Sequence, residues 1–488
     1  MAEPVAAGSV VLFTPDSPPK LLWTTRAEDV TLGGWQAFPG GVVEAADRDL
    51  PTDAPSEPAA VAALRELFEE LGILLADGAE SLSESAAEAL REAFRRDPEE
   101  GGRRFRDAGL RFRTSEAVEV GHWITPDARA GVRVKRFDAR FYAFEVPSPS
   151  VLRPDPAEIA VAEWVTADDA LARWKRGEVL LAPSMAAVLR NARTRFDVEA
   201  MRREKNADGT MGDSYEVVPG VTMLALRTPT LPPATHTNAY LLGDEDAVLV
   251  EPASPYEDEI ARAVRFVEEK RAAGIRLHAI LATHHHPDHI GGAVALKEQL
   301  GLPLWGHAQT IARLDGVVGF EREIDDGEVI SVGEDLEIEA VHTPGHAPGH
   351  LCFVHRPSGA MIAGDMVAGI GTILVEPHDG DMALYLESLR DIARREPSLL
   401  LPAHGGPIRE SAAKAEAYVA HRLMREEKVM AALAAHGAPA TPAEIVPVAY
   451  DDAPAAVYPI AAMATEAHLI KLVADGRVAR QDGKFVAV

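Results

Sequence analysis

Residues 277–292 read LHAILATHHHPDHIGG, and five consecutive or near-consecutive side chains there could bind a metal: His284, His285, His286, Asp288 and His289. They follow a short apolar run, 277–282, of strand length, and a Gly291-Gly292 pair that can open a helix comes after them. Neutral imidazoles and a carboxylate are what borderline-soft divalent ions such as zinc prefer. The H-x-H-x-D-H spacing lets His284 and His286 converge on one side, and Asp288 and His289 on another. A histidine tract by itself would equally well be a surface that picks up ions by accident. Further candidate ligands downstream argue against that. His346 (in HTPGHAPGH), Asp365 and His404 each follow a strand-like apolar run.

A second set lies near the N-terminus. In RELFEELGI, 65–73, Glu66, Glu69 and Glu70 stand at i, i+3 and i+4, so a helix would carry all three carboxylates on one face. Adjacent like charges are unfavourable unless cations sit between them, and hard oxygen ligands suit Mg²⁺ or Mn²⁺. The plain alternative is a solvated acidic face on an amphipathic helix.

The elements that must position the first set are strands, each delivering its ligand at its end. In their order and spacing the four histidine- and aspartate-bearing pieces resemble the metallo-β-lactamase fold superfamily over 215–410. The resemblance implies a dinuclear site. His284, His286 and His346 would hold one ion and Asp288, His289 and His404 the other, with Asp365 bridging. The ions would be two Zn, or Fe or Mn. It also implies a bridging hydroxide as nucleophile, with Asp288 able to orient the water. Zinc β-lactamases commonly carry a cysteine where Asp365 stands, so the carboxylate points to glyoxalase II-like thioester hydrolases and related nucleases. His350 is expected behind the ligands, His285 turned away from them, and His278, His307 and His355 in structural roles. His236 either approaches the site or is structural.

The RELFEELGI segment, with FPGG at 38–41 ahead of it, resembles the Nudix box. Asp47 stands where that box has glutamate, and 17 residues, 48–64, intervene before Arg65. This expansion resembles the Nudix branch that includes a peroxisomal coenzyme A diphosphatase, whose inserted helices residues 80–110 would match. The coenzyme A signature of other Nudix enzymes is not evident around 26–38. The resemblance implies cleavage of a diphosphate linked to another moiety, with Mg or Mn on Glu66, Glu69 and Glu70, any of which could be the base. The Arg- and Lys-rich segment 129–140 would either meet a phosphate or be a solvated strand edge.

After His404 the pattern turns helical over 412–435, with His421-Arg422-x-x-Arg425-Glu426-Glu427. Pro-rich turns, a helix over 461–474 and a hairpin at Asp482-Gly483 follow. This order resembles the β-lactamase-like protein 2 group, with its C-terminal winged helix and some members that cut single-stranded RNA.

The expected architecture is thus a multidomain chain of α/β and α+β class. A Nudix α/β/α sandwich (1–200) and a linker (201–214) precede a metallo-β-lactamase αββα sandwich (215–410) and a small winged helix (411–488). The net charge of −27 falls heavily on 215–410, with 14 basic and 30 acidic residues, which disfavours extended polyanions. Bound cations would reverse this locally. The single cysteine, Cys352, forbids an internal disulfide and reads as a small buried hydrophobe. No signal pattern or apolar run of membrane length is evident, so a cytoplasmic protein is expected. The expected substrates are small phosphoanhydrides and thioesters or esters, with RNA as the competing substrate and a homodimer as one possible assembly. A further alternative makes the Nudix half a nucleotide- or coenzyme-sensing module.

Overall fold

The computed structural model describes residues 3–30, 32–124, 136–198 and 214–488. Most of the basic segment 129–140 and of the interval 201–214 lies outside the described residues. The chain forms two compact units, one ending at Tyr215 and the other running from Glu216 to Val488.

The first unit is built on a mixed sheet ordered Gln36–Ala37, Lys20–Arg26, Val5–Phe13, Phe137–Glu145, Val118–Ile124. Val5–Phe13 runs parallel to Phe137–Glu145 and antiparallel to Gly40–Val42. The helix Pro58–Leu71 starts on proline and ends at Gly72 in the left-handed region, φ 73°. Its Leu64, Leu67, Phe68 and Leu71 are at most 1% exposed and pack with Val10 and Leu12 of the sheet. Each such side chain contributes roughly 1.5–3 kcal/mol, which pins the helix with its glutamates on the other edge. A Cβ on Gly8 would stand 1.8 Å from Ala59 O, so only glycine lets the helix lie this close to the strand. The 80–110 interval forms the helices Glu84–Arg96 and Pro98–Asp107, capped by Ser83 and Asp97. Phe94 and Phe105 anchor them against Phe68 and Phe112.

The second unit stacks two sheets. One runs Val221–Arg227, His236–Leu242, Asp246–Val250, Arg276–Leu281, Leu304–Gly306, Arg322–Glu323. The other runs Val329–Val332, Leu336–His342, Leu351–His355, Ala360–Gly364, Leu400–Pro402. Helices Glu257–Ala272 and Ala293–Leu300 cover the first sheet, and Met382–Arg395 with Ser411–His436 covers the second. The sheets are sewn together at one end by buried polar bonds. Tyr240 Oη donates to Pro402 O at 2.8 Å, Asn238 N to Ala403 O at 2.8 Å and Leu351 N to Thr283 O at 2.9 Å. That end is where the candidate ligands emerge.

The C-terminal module has one helix more than the sequence pattern suggests. The stretch expected as Pro-rich turns contains Pro442–Ala449, a helix with a Thr441/Glu444 capping box and proline at its start. Pro442 is a helix-opening proline, and Pro447 lies inside the helix. The following helix begins earlier than expected, at Tyr458, and runs to Ala474. Asp482 and Gly483, both at positive φ, turn the hairpin Val478–Gln481/Lys484–Ala487. One stretch, Ala455–Ala474, is long and apolar enough to cross a membrane by length and composition, although Glu466 and Lys471 interrupt it. In the fold its Ala464, Ala467, Leu469 and Leu472 are buried, Leu469 and Leu472 in the core of the C-terminal module.

Candidate functional site

Strand Arg276–Leu281 is followed by Ala282 and the buried Thr283, and the chain then turns through His284–His286 into the short helix Pro287–Ile290. His284 Nε2 lies 3.0 Å from His286 Nδ1, and His346 Nε2 lies 3.3 and 2.9 Å from those two atoms. A tetrahedral zinc with Zn–N of about 2.0–2.1 Å would separate its nitrogens by about 3.3 Å. Three imidazoles therefore point their nitrogens at one small volume.

Each ring is held from behind at its other nitrogen. His346 Nδ1 donates to Leu374 O at 2.8 Å, and His286 Nε2 to Asp379 Oδ2 at 3.1 Å. His284 Nδ1 stands 2.9 Å from Thr283 Oγ1, which itself donates to Glu251 Oε1 at 2.5 Å. These partners put the remote proton outside and leave a lone pair facing inward, the tautomer a metal requires.

Beside this trio stand Asp288, His289, Asp365 and His404. His404 Nε2 lies 3.3 Å from Asp365 Oδ1 and 3.6 Å from Asp288 Oδ2, and its Nδ1 donates to His236 O at 2.9 Å. His289 Nε2 is 3.6 Å from Asp365 Oδ1 and 3.7 Å from Asp288 Oδ2. Asp365 Oδ2 reaches to 3.5 Å from His346 Nε2, so one carboxylate faces both groups. His289 Nε2 and Asp365 Oδ1 are buried without a hydrogen-bond partner. Buried polar atoms are rarely left so, and a cation between them would satisfy both. The donor set, five imidazoles and two carboxylates, fits divalent ions.

The electrostatics agree. Burial holds His284 well below the ordinary imidazole pKa and His346 down to about 4, so both are neutral ligands at neutral pH. Burial also opposes charge on His289, but the carboxylates of Glu251, Asp288 and Asp365 outweigh it and raise its pKa well above the ordinary value. Burial disfavours the Asp365 carboxylate, yet His404 and His289 bring it well below the usual range.

His350 Nε2 accepts the backbone N–H of Asp365 at 3.1 Å, and its Nδ1 meets Thr343 Oγ1 at 2.8 Å. Gly364 makes this fit possible: a Cβ there would lie 2.4 Å from His350 Nε2, and φ is 47°. His285 is turned to Asp379 at 3.2 Å, His278 pairs with Asp246 at 2.6 Å, and His307 stacks on His342 at 4.2 Å. Cys352 is buried, and burial pushes its thiol up to about 12.

Two residues of this site went unremarked in the sequence. Glu251, fully buried and at φ 68°, ends the strand Asp246–Val250, and its Oε1 lies 3.1 Å from His289 Nδ1. An acidic residue closing the apolar run AVLV was the available signal. Asp379, in the loop before Met382–Arg395, had none.

In the first unit Arg65 is the organising group. It is 2% exposed, and its Nε and Nη2 donate to the two oxygens of Asp47 at 2.7 and 3.1 Å. Its Nη1 donates to Glu66 Oε1 at 2.9 Å and Glu69 Oε1 at 2.8 Å. Glu70 instead accepts from Gly40 N at 3.1 Å, and its other oxygen is buried without a partner. The three glutamates thus share a helix edge without meeting at one point. Among the described residues, the trios of ligand atoms close enough to share an ion all lie in the second unit. Gly41 has no Cβ where one would collide with the Glu66 carboxylate at 2.3 Å. Burial lifts Glu66 to about 7, and lifts Glu70 well above the carboxylate range with Glu66 adding to it. Adjacent carboxylates raised by burial and mutual repulsion form a site that a divalent cation would stabilise.

Family models match the chain in three places: the metallo-beta-lactamase superfamily over 232–404, the NUDT19 Nudix domain over 46–190 and the beta-lactamase associated winged helix domain over 441–484. The lactamase-like protein aptB of Emericella nidulans is 32% identical over 201 residues, 40% of this chain and 60% of that protein. An atrochrysone carboxyl ACP thioesterase of Aspergillus chevalieri is 32% identical over 222 residues, 45% of this chain and 68% of that protein. The chain thus spans about three fifths to two thirds of the length of these relatives. The crystal structure of a beta-lactamase domain protein from Burkholderia ambifaria superposes with a TM-score of 0.50 at 27% identity, covering 57% of this chain and 94% of that one. With a Nudix domain before it and a winged helix after it in the sequence, the chain belongs to the metallo-β-lactamase superfamily.

Proposed function

We propose that the chain is a bifunctional metal-dependent hydrolase. Residues 215–410 open a thioester or ester of a small metabolite, and residues 1–200 cleave a nucleoside diphosphate linked to another moiety, of coenzyme A type. Residues 201–214 join the two and 411–488 form the winged helix. The observation that carries this reading is the convergence of three imidazole nitrogens within 3.3 Å, each ring held from behind in the ligating tautomer.

His284, His286 and His346 would hold one ion, Asp288, His289 and His404 a second, and Asp365 would face both. Two divalent ions there, zinc, iron or manganese, would activate water and polarise the scissile carbonyl. Asp288, 17% exposed, is more open than Asp365 at 11%, and its carboxylate would orient that water. Thr230 Oγ1, 3.3 Å from His404 Nε2, faces the same space and can donate to a bound substrate. The carboxylate at 365 and the resemblance to a protein named as a thioesterase support a thioester over a lactam.

In the Nudix unit Glu66, Glu69 and Glu70 would hold Mg or Mn, which would neutralise the diphosphate oxygens. Arg65 fixes Glu66 and Glu69 by one oxygen each and leaves the other free.

The test offers the metal-loaded full chain acyl thioesters, diphosphate conjugates and labelled single-stranded RNA side by side. Thioester turnover is expected to vanish in Asp288→Ala and diphosphate cleavage in Glu69→Gln. RNA cleavage lost in Asp288→Ala, without thioester turnover, would replace the esterase reading with an endoribonuclease. Ligand binding by the first unit with no diphosphate cleavage would make it a sensing module.

A further inference from the structure

The segment 365–374 touches three of the candidate ligands. It begins at Asp365, and its Gly369 N donates to His404 O at 2.7 Å. Near its end, Leu374 O accepts from His346 Nδ1 at 2.8 Å. Between those points it has no regular secondary structure to hold it, since strand Ala360–Gly364 stops before it and the next helix starts at Met382.

What holds it comes from the long helix Ser411–His436. Tyr418 Oη accepts from Ala368 N at 3.0 Å and lies 3.4 Å from Ala368 O. One turn further on, Arg422, 4% exposed, donates from Nη2 to Ile373 O and stands 3.5 Å from Thr372 Oγ1. Its guanidinium lies over the Tyr385 ring at 5.6 Å, and Tyr385 Oη donates to Met366 O at 2.8 Å. Ala368 and Ile373 are therefore clamped by side chains on successive turns of one helix, with Met366 tied from the neighbouring helix.

The next turn of the same helix faces the other way. Arg425 donates to Ala449 O at 2.6 Å and to Asp452 at 3.0 Å, and Glu426 accepts from Lys471 at 3.1 Å. These bonds anchor the helix in the C-terminal module. The segment HRLMREE, 421–427, is thus a two-sided connector, Arg422 reaching the metal loop and Arg425 with Glu426 reaching the winged helix.

We infer that Arg422 and Tyr418 are positioning residues of the metal site: the C-terminal helix sets the path of segment 365–374, and through it the placement of Asp365, His346 and His404. This rests on the metal-binding reading above. A guanidinium is suited to the task because it is charged at all working pH and makes planar, directional bonds to carbonyl oxygens, which a lysine ammonium does not reproduce. Partners that orient a ligand from behind typically change metal affinity 10–100-fold when removed.

The experiment loads the full chain with Co²⁺ and follows its visible absorption and the rate of metal extraction by a chelator. Tyr418→Phe removes only a hydroxyl, and Arg422→Lys keeps the charge. Both are expected to shift the cobalt spectrum and speed extraction by about 10-fold or more. They are also expected to lower kcat more than they raise KM. Arg425→Lys, on the far side of the helix, is expected to lower the melting temperature while leaving spectrum and extraction unchanged. If Tyr418→Phe and Arg422→Lys, still folded by circular dichroism, match the parent in spectrum and extraction, the inference is overturned and Arg422 is a packing residue only. Should Arg422→Lys fail to fold, Tyr418→Phe decides alone. A parent chain that takes up no Co²⁺ would overturn the metal-binding reading, and this inference with it.

Discussion

Asp379 Oδ2 accepts the Nε2 proton of His286 at 3.1 Å while its Oδ1 takes a bond from Arg313 Nε at 3.0 Å. The loop carrying Asp379 is itself tied, since Glu376 Oε2 accepts the backbone N–H of His378 and of Asp379, each at 2.9 Å. His286 is the only one of the three converging imidazoles whose inward atom is Nδ1, so its ring orientation depends on this outer carboxylate. Replacing Asp379 with alanine is expected to weaken metal binding about 10–100-fold while leaving the fold intact. A chelator competition on parent and variant measures this. Unchanged affinity would mean that packing alone orients the ring.

Metal loading should stabilise the second unit. The unpartnered His289 Nε2 and Asp365 Oδ1 are each buried, and an ion binding the folded state alone adds about 2.7 kcal/mol at a hundred times its dissociation constant. The melting temperature is therefore expected to rise on addition of zinc or manganese and to fall back with a chelator, with two ions per chain bound at 215–410. Asp365→Asn keeps the shape and loses the charge facing both groups, so it is expected to cut both stoichiometry and stabilisation. A parent whose melting temperature ignores metal and chelator alike would sink the dinuclear reading.

In the first unit the same logic applies without any ion. Asp47 is the buried counter-charge of Arg65, with side-chain exposures of 0% and 2%. Removing one member of a buried, hydrogen-bonded ion pair strands the other and costs roughly 3–5 kcal/mol. Asp47→Ala is thus expected to lower the stability of the first unit by that order in urea unfolding, and to abolish diphosphate cleavage by freeing Arg65 from its place beside Glu66 and Glu69. A loss below about 1 kcal/mol would show that Glu66 and Glu69 alone satisfy Arg65.

Much of this was legible in the sequence because strand ends and helix spacings are local. The apolar runs before Thr283, Asp365 and His404 announce strands, and ligands placed at strand ends meet wherever the strands share an edge. The i, i+3, i+4 spacing of Glu66, Glu69 and Glu70 likewise fixes a shared helix edge. It could not show that Arg65 would take one oxygen from each of two glutamates and leave Glu70 turned to Gly40. Nor could spacing reveal Asp379, 93 residues from His286, or the clamp of Arg422 on Ile373, 49 residues back. Those contacts are set by tertiary packing and carry no periodic signal. The Pro442–Ala449 helix was missed for the opposite reason: its prolines read as turn residues, whereas proline at a helix start costs no hydrogen bond.

One stability term lies away from every candidate ligand. His355, 2% exposed at the end of strand Leu351–His355, has Nδ1 2.7 Å from Ser358 Oγ, and burial holds its pKa down to about 4. An unfolded histidine titrates near 6.5. The folded pKa is depressed, so the contribution is present in full above about pH 6.5 and is lost as pH falls towards the folded value of about 4. At about pH 5 the loss amounts to about 2 kcal/mol. His355→Phe removes this titration, so the stability difference between parent and variant is expected to shift in favour of the variant between about pH 7 and about pH 5. Urea unfolding of both proteins at the two pH values isolates the term, since the other titrating groups are common to both. Parallel acid sensitivity in parent and variant would show that His355 gains its proton inside the fold at little cost.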